Sequence, residues 1–182
     1  MLHHSKKIAG HQIAPQKEAP QTGKEHRALA KEYSERRDQD KAIKQYSRAL
    51  ELNPADKLAL NGRGWSYFKE GRYKIALKDF DQLVSLSKNA KNLHSRAIAL
   101  HYLHRYDESI ADLTEAVNLA PRNAEILRFR TVTNASAGNY DATVADLRQL
   151  YSLDPKRADM TFKEILLDPN FRRAYQERIL HS

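Results

Sequence analysis

Four small residues in register, Ala42, Ala76, Ser109 and Thr143, stand 34, 33 and 34 residues apart, each inside a similar ten-residue stretch. A period of this length constrains a chain more than any composition does, because each unit must bury its apolar face against the next. Apolar residues recur at three- and four-residue intervals from Gly23 onward, and strand-like alternation is nowhere sustained. Breakers at Asn53-Pro54, Gly71, Asn89, Pro121, Gly138, Asp154-Pro155 and Asp168-Pro169 leave segments of helical length between them. The chain is therefore expected to be all-α, with about eight to ten helices joined by short connections.

Composition removes several function classes. With 41% hydrophobic and 30% charged residues, and only 6 Gly and 6 Pro in 182, the chain is neither disordered throughout nor a turn-dense sandwich. The absence of Cys excludes disulfides, thiolate zinc sites and thiol catalysis. No glycine-rich phosphate loop, nucleophile elbow or metalloprotease motif occurs, and carboxylates such as Glu32, Glu35, Asp79 and Asp112 read as solvent-facing. No enzymatic activity is expected. His94, His101 and His104 share one stretch, but the nearest carboxylates, Asp107 and Glu108, fall past a turn, so neither metal nor other cofactor is expected. No apolar run is long enough for a membrane span, and the N-terminus lacks the apolar stretch of a secretory signal, so a soluble, cytoplasmic protein is expected.

The four units carry further recurring residues. Residues 23–56 have Ala30 and Tyr33 in the first half and Ala42, Tyr46, Ala49 and Pro54 in the second. Residues 57–89 have Gly64, Tyr67, Ala76 and Phe80 at the same places, with Leu83 for Ala and Lys88 where the closing Pro would stand. Residues 90–123 have Ala97, Leu100, Ser109, Leu113, Ala116 and Pro121; residues 124–157 have Thr131, Asn134, Thr143, Leu147, Leu150 and Pro155. This pattern resembles the tetratricopeptide repeat, a 34-residue helix–turn–helix unit. The resemblance implies a right-handed α-solenoid in which small side chains let paired helices approach and aromatics fill the groove beside them. Residues 1–22 are then expected to be a flexible tail and 158–182 a capping helix pair, with Asp168 as N-cap and Pro169 in the first turn.

The resemblance also implies a function. First helices of such arrays line a concave surface, so the expected groove residues are Lys24, Arg27 and Lys31; Asn61, Trp65 and Phe68; Lys91, His94, Ile98 and His101; and Arg128, with Val132 and Ala135. Trp65, the only Trp, follows Gly64 by one place, which turns it about 100° away from the small packing site. Some family members clamp an acidic chaperone C-terminus with paired Lys and Asn. Here Lys91 fits that pattern, whereas Arg27, Lys31, Gly62 and Ser95 depart from it. The expected role is a non-enzymatic adaptor, scaffold or chaperone-like module that takes an acidic or mixed acidic–apolar protein segment. The net charge of +8 leaves RNA as the alternative ligand. A homo-oligomer built on the terminal faces is a third reading.

Overall fold

A computed structural model describes residues 19–180. They form ten helices: α1 (Gly23–Glu35), α2 (Gln39–Leu52), α3 (Lys57–Lys69), α4 (Tyr73–Leu86), α5 (Ala90–Tyr102), α6 (Tyr106–Leu119), α7 (Ala124–Ser136), α8 (Tyr140–Leu153), α9 (Pro155–Ile165) and α10 (Pro169–Leu180). From α1 to α9 each helix packs on its chain neighbour; α1 with α3 and α7 with α9 join alternate helices, and α10 returns to pack on α8. That is the connectivity of a solenoid, in which each unit buries only against its neighbours.

The regularity has local causes. Thr22, Asp56, Asn89 and Asn123 each cap a first helix by accepting backbone N–H bonds; Thr22 and Glu25 form a reciprocal capping box. The turns between paired helices close in one way. The N–H groups of Asp38, Arg72, Arg105 and Asn139 bond the carbonyls of Tyr33, Tyr67, Leu100 and Asn134 at 2.8–3.0 Å. This closure needs a left-handed residue one place earlier, and Arg37, Gly71, His104 and Gly138 all have positive φ. Only two of the four turns use the residue that adopts this conformation without strain.

Ala30, Ala42, Ala76, Ala97, Ser109, Thr131 and Thr143 are all fully buried where paired helices cross. The missing side chains of two glycines are filled by rings: a Cβ on Gly64 would lie 2.7 Å from the Phe80 ring, and one on Gly62 would lie 2.3 Å from that of Tyr46. Asn134, at a site held by Tyr33, Tyr67 and Leu100 in the other units, is buried and satisfied, donating to Asp146 at 3.1 Å.

Three expectations need correction or relocation. Asp79 and Asp112 do not face solvent; they are 4% and 7% exposed. Each accepts a two-pronged bond from an arginine 16 residues earlier, Arg63 to Asp79 at 2.7 and 2.9 Å and Arg96 to Asp112 at 2.7 Å. Arg130 and Asp146 repeat the pair in the next unit. Pro155 does not sit in a turn beyond a helix, as Pro54 and Pro121 do; it opens α9, with Asp154 as N-cap, so the terminal helix pair starts at residue 155. The expected tail lies outside the described residues up to residue 18; Ala19 to Thr22 lead directly into α1.

Candidate concave binding surface

The first helices α1, α3, α5 and α7 carry every residue expected to line the groove. The structure unites part of this set around a run of rings. Trp65 is half-buried and meets Phe80 and Phe68 edge-on, with centroids 5.4 and 5.3 Å away. Phe68 then contacts Tyr102 of α5 at 5.0 Å, and both touch Tyr73. Tyr102 meets His101, which contacts Phe129 of α7 at 5.2 Å, and His94 meets the same ring at 5.6 Å. The rings thus cross from α3 through α5 to α7, and Tyr102 remains 47% exposed. Ile98 and Val132, the residues of α5 and α7 at the place of Trp65, are half-buried.

The cations divide into two groups. Arg27 is paired with Asp56, the cap of α3, and Arg128 with Glu125 and Glu164. Lys31 reaches Glu35 at 3.7 Å on an exposed surface. Lys24 and Lys91 are exposed, with no ion pair among the described residues. The bound arginines act as cross-links between successive units, while Lys24 and Lys91 keep their charge for solvent or a ligand. Asn61 is half-buried, and its Oδ1 lacks a hydrogen-bond partner, as does Nε2 of His94. Ala135 is buried with the core around α8 and α10 instead of lining an open surface.

Phe129 and Tyr102 were not among the expected groove residues. Phe129 stands where the other units have Ala28, Gly62 and Ser95, so one large ring in a column of small residues was the available signal. Phe129 of α7 packs against both His94 and His101 of α5 and so joins the two helices.

Burial disfavours the protonated form of both histidines. Thr133 Oγ1 donates to the Phe129 carbonyl at 2.8 Å, so it must accept from Nδ1–H of His101 at 3.1 Å, which leaves the His101 lone pair on Nε2. Burial pushes the His101 pKa down, and neighbouring His104 adds to this. Burial likewise lowers that of His94, where Glu125 opposes the shift and Arg128 reinforces it. A histidine with a depressed folded pKa binds its proton first in the unfolded chain, at a pH near 6.5. Its contribution is fully present above that pH and is lost as pH falls toward the folded value. The melting temperature is therefore expected to be level above about pH 7 and to decline from about pH 6.5 downward. His94→Gln/His101→Gln should flatten that decline, as followed by thermal melts across the pH range. A parent curve equally steep in both proteins would assign the acid sensitivity elsewhere.

The geometry now meets what the chain is similar to. The tetratricopeptide repeat profile matches residues 27–91 and 94–158, which is most of the chain, and the protein belongs to that family. Serine/threonine-protein phosphatase 5 of Homo sapiens is 28% identical over 117 residues, a match covering 61% of this chain and 23% of the phosphatase. The chain thus spans under a quarter of that relative, and the relative's activity does not come with the match. YrrB, described as a TPR protein with an unusual peptide-binding site, superposes with a TM-score of 0.66 at 20% identity, over 81% of this chain and 79% of YrrB. The first TPR of Spaghetti (RPAP3), bound to the HSP90 peptide SRMEEVD, gives a TM-score of 0.62 at 19% identity, over 64% of this chain and 94% of that one. The fold is a right-handed α-solenoid of tetratricopeptide repeats, and the protein is an interaction module of that family. Among the described residues no helix is long and apolar enough to cross a membrane, and no cluster of three metal-binding side chains occurs.

Proposed function

We propose that this protein is a non-enzymatic cytoplasmic adaptor that holds an extended or helical segment of a partner protein along the first helices. The units 23–56, 57–89, 90–123 and the fourth, which ends at Asp154, form the binding array, and α9 and α10 cap it. The observation that carries this reading is the continuous ring surface from Trp65 through Tyr102 to Phe129, beside half-buried Ile98 and Val132. Aromatic anchors in partly desolvated settings supply most of the affinity at such interfaces. The ligand is mixed acidic–apolar: apolar side chains on the ring surface, and acidic ones near Lys24 and Lys91. Arg27 and Arg128, committed to internal carboxylates, steady the array and do not read the ligand. RNA is less suited, because the charged column does not recur from unit to unit and two of its cations are neutralised internally.

The test begins with a photo-crosslinker placed at Ile98 or, as the control, at Lys78 on the exposed side of α4. A partner segment is expected to crosslink from 98 and not from 78. Titration of that segment should then show Trp65→Ala binding at least ~30-fold more weakly, from the roughly 2 kcal/mol typical of a central aromatic anchor. Lys78→Ala should bind like the parent. Crosslinks from 78 alone, with Trp65→Ala binding normally while still folded, would move the site to the other face.

A further inference from the structure

Arg27, Asn61, His94 and Arg128 share one place in their units, and three of these side chains reach forward to the next first helix. Arg27 bonds Asp56, the cap of α3, and His94 meets Phe129 of α7. Arg128 makes the same forward contact to α9, bonding Glu164 at 3.1 Å. The packing agrees: α9 lies on α7 as α3 lies on α1, and α10 lies on α8. Arg157 of α9 also bonds Glu125 in the first turn of α7, so ion pairs at both ends of α9 fix it alongside that helix. By these contacts α9 stands in the place of a further first helix.

The last helix pair of such an array ordinarily offers solvent a polar face. Here Met160 of α9 is 72% exposed, and with Arg128, Lys156 and Glu164 it lines a cleft of about 420 Å³ between α7 and α9. The carboxylates around this cleft are already taken: Glu164 by Arg128, Glu125 by Arg128 and Arg157, and Asp154 by Arg157. Lys156 is exposed and has no ion pair among the described residues. The cleft thus sets an adaptable thioether beside an uncommitted cation. It begins at Arg128, the residue before Phe129, where the rings that start at Trp65 reach α7.

We infer that α9 continues the ligand groove, with Met160 and Lys156 holding the far end of the same acidic–apolar partner segment: an apolar side chain on the thioether, a carboxylate on the ammonium. This rests on the first helices being the binding surface. The occupant is assigned by continuity and by charge. The cleft adjoins the ring surface, and its free charge has the sign of Lys24 and Lys91, so one ligand chemistry suits both ends. A length follows. Packed helices lie about 10 Å apart, so the three steps from Trp65 on α3 to Met160 on α9 span roughly 30 Å. A segment covering that distance needs about nine or ten residues if extended, or about 20 if helical.

The test uses the full chain and phage-displayed random peptides of about 20 residues, enough for either form, keeping those whose binding is lost in Trp65→Ala. These peptides are expected to bind Lys156→Glu/Met160→Glu at least ~10-fold more weakly and Met160→Leu like the parent. Both positions are exposed, and a glutamate in the first turn of α9 suits the helix dipole, so the variants should melt like the parent. Exchanging the peptide's acidic residue at that end for lysine should restore affinity for Lys156→Glu. Trimming a peptide to the part that carries its Trp65 dependence should abolish its sensitivity to Met160. Trp65-dependent peptides that bind the double variant like the parent would end the groove at α7 and overturn the inference, with the binding surface itself intact. Finding no Trp65-dependent peptide would overturn the groove reading and this inference with it. A parent dimer in light scattering that the double variant breaks, with peptide affinity unchanged, would make a second copy the occupant and also overturn it.

Discussion

Arg130→Ala is expected to destabilise the protein by about 3–5 kcal/mol, the cost of leaving a buried charge without its partner. Asp146 is 5% exposed, and its two oxygens accept from Arg130 at 2.6 and 2.9 Å. The Asn134 amide at 3.1 Å is the other group the structure places on this carboxylate. Removing the guanidinium therefore leaves an ionised carboxylate facing one neutral donor. At roughly 2–4 °C per kcal/mol for a chain of this size, the melting temperature should drop by about 10 °C. Replacing the whole group by apolar residues, Arg130→Met/Asn134→Leu/Asp146→Leu, should recover most or all of the loss. Leucine at 134 is what the preceding unit already has at Leu100. Denaturant unfolding of the single and triple variants is the measurement. A loss under about 1 kcal/mol for Arg130→Ala would mean that the pair behaves like a solvated surface bridge.

That ladder also marks where the sequence stopped being readable. The small residues at the helix crossings were legible because each is a local choice repeated in register: Ala42, Ala76, Ser109 and Thr143 are 0% exposed. In sequence, Asp79 and Asp112 look solvated, because a lone carboxylate on an amphipathic helix usually is. Their partners lie 16 residues upstream on a different helix, and only alignment of Arg63, Arg96 and Arg130 on the repeat period brings the pairs together. The concave residues divide on the same principle. That Trp65, His94 and His101 lie on first helices followed from the period. That His94 and His101 enclose Phe129 did not, because those contacts join side chains 28 to 35 residues apart in different units. The Arg27–Asp56 pair, which withdraws an expected ligand-binding cation, likewise joins two separate elements, α1 and the cap of α3. A repeat period shows which positions recur; it does not show which side chains of different helices meet, whether within one unit, as Arg63 and Asp79 do, or between units, as His94 and Phe129 do.

Phe80→Ala should cost about 3–5 kcal/mol, and its coupling to Gly64 should show why the small site and the aromatic site occur together. The Phe80 ring is 0% exposed and occupies the space where a Gly64 side chain would be, while its edge supports Trp65 at a centroid distance of 5.4 Å. Gly64→Ala alone forces a methyl to within 2.7 Å of a ring carbon in a filled core, an overpacking cost of about 1–3 kcal/mol. In a Phe80→Leu background the same methyl has room, and the gain of about 1 kcal/mol from replacing a mid-helix glycine should then emerge. The two changes are therefore non-additive by about 1–3 kcal/mol, in the sense that each relieves the other. Four proteins close the cycle by denaturant unfolding, and Trp65 fluorescence reports the ring surface in the same samples. Phe80→Ala should release Trp65 and weaken partner binding even under conditions where the chain remains folded, since the proposed anchor is held by a residue the ligand never touches. Strict additivity in the cycle, or an unchanged Trp65 signal in Phe80→Ala, would separate the core from the binding surface and require another support for Trp65.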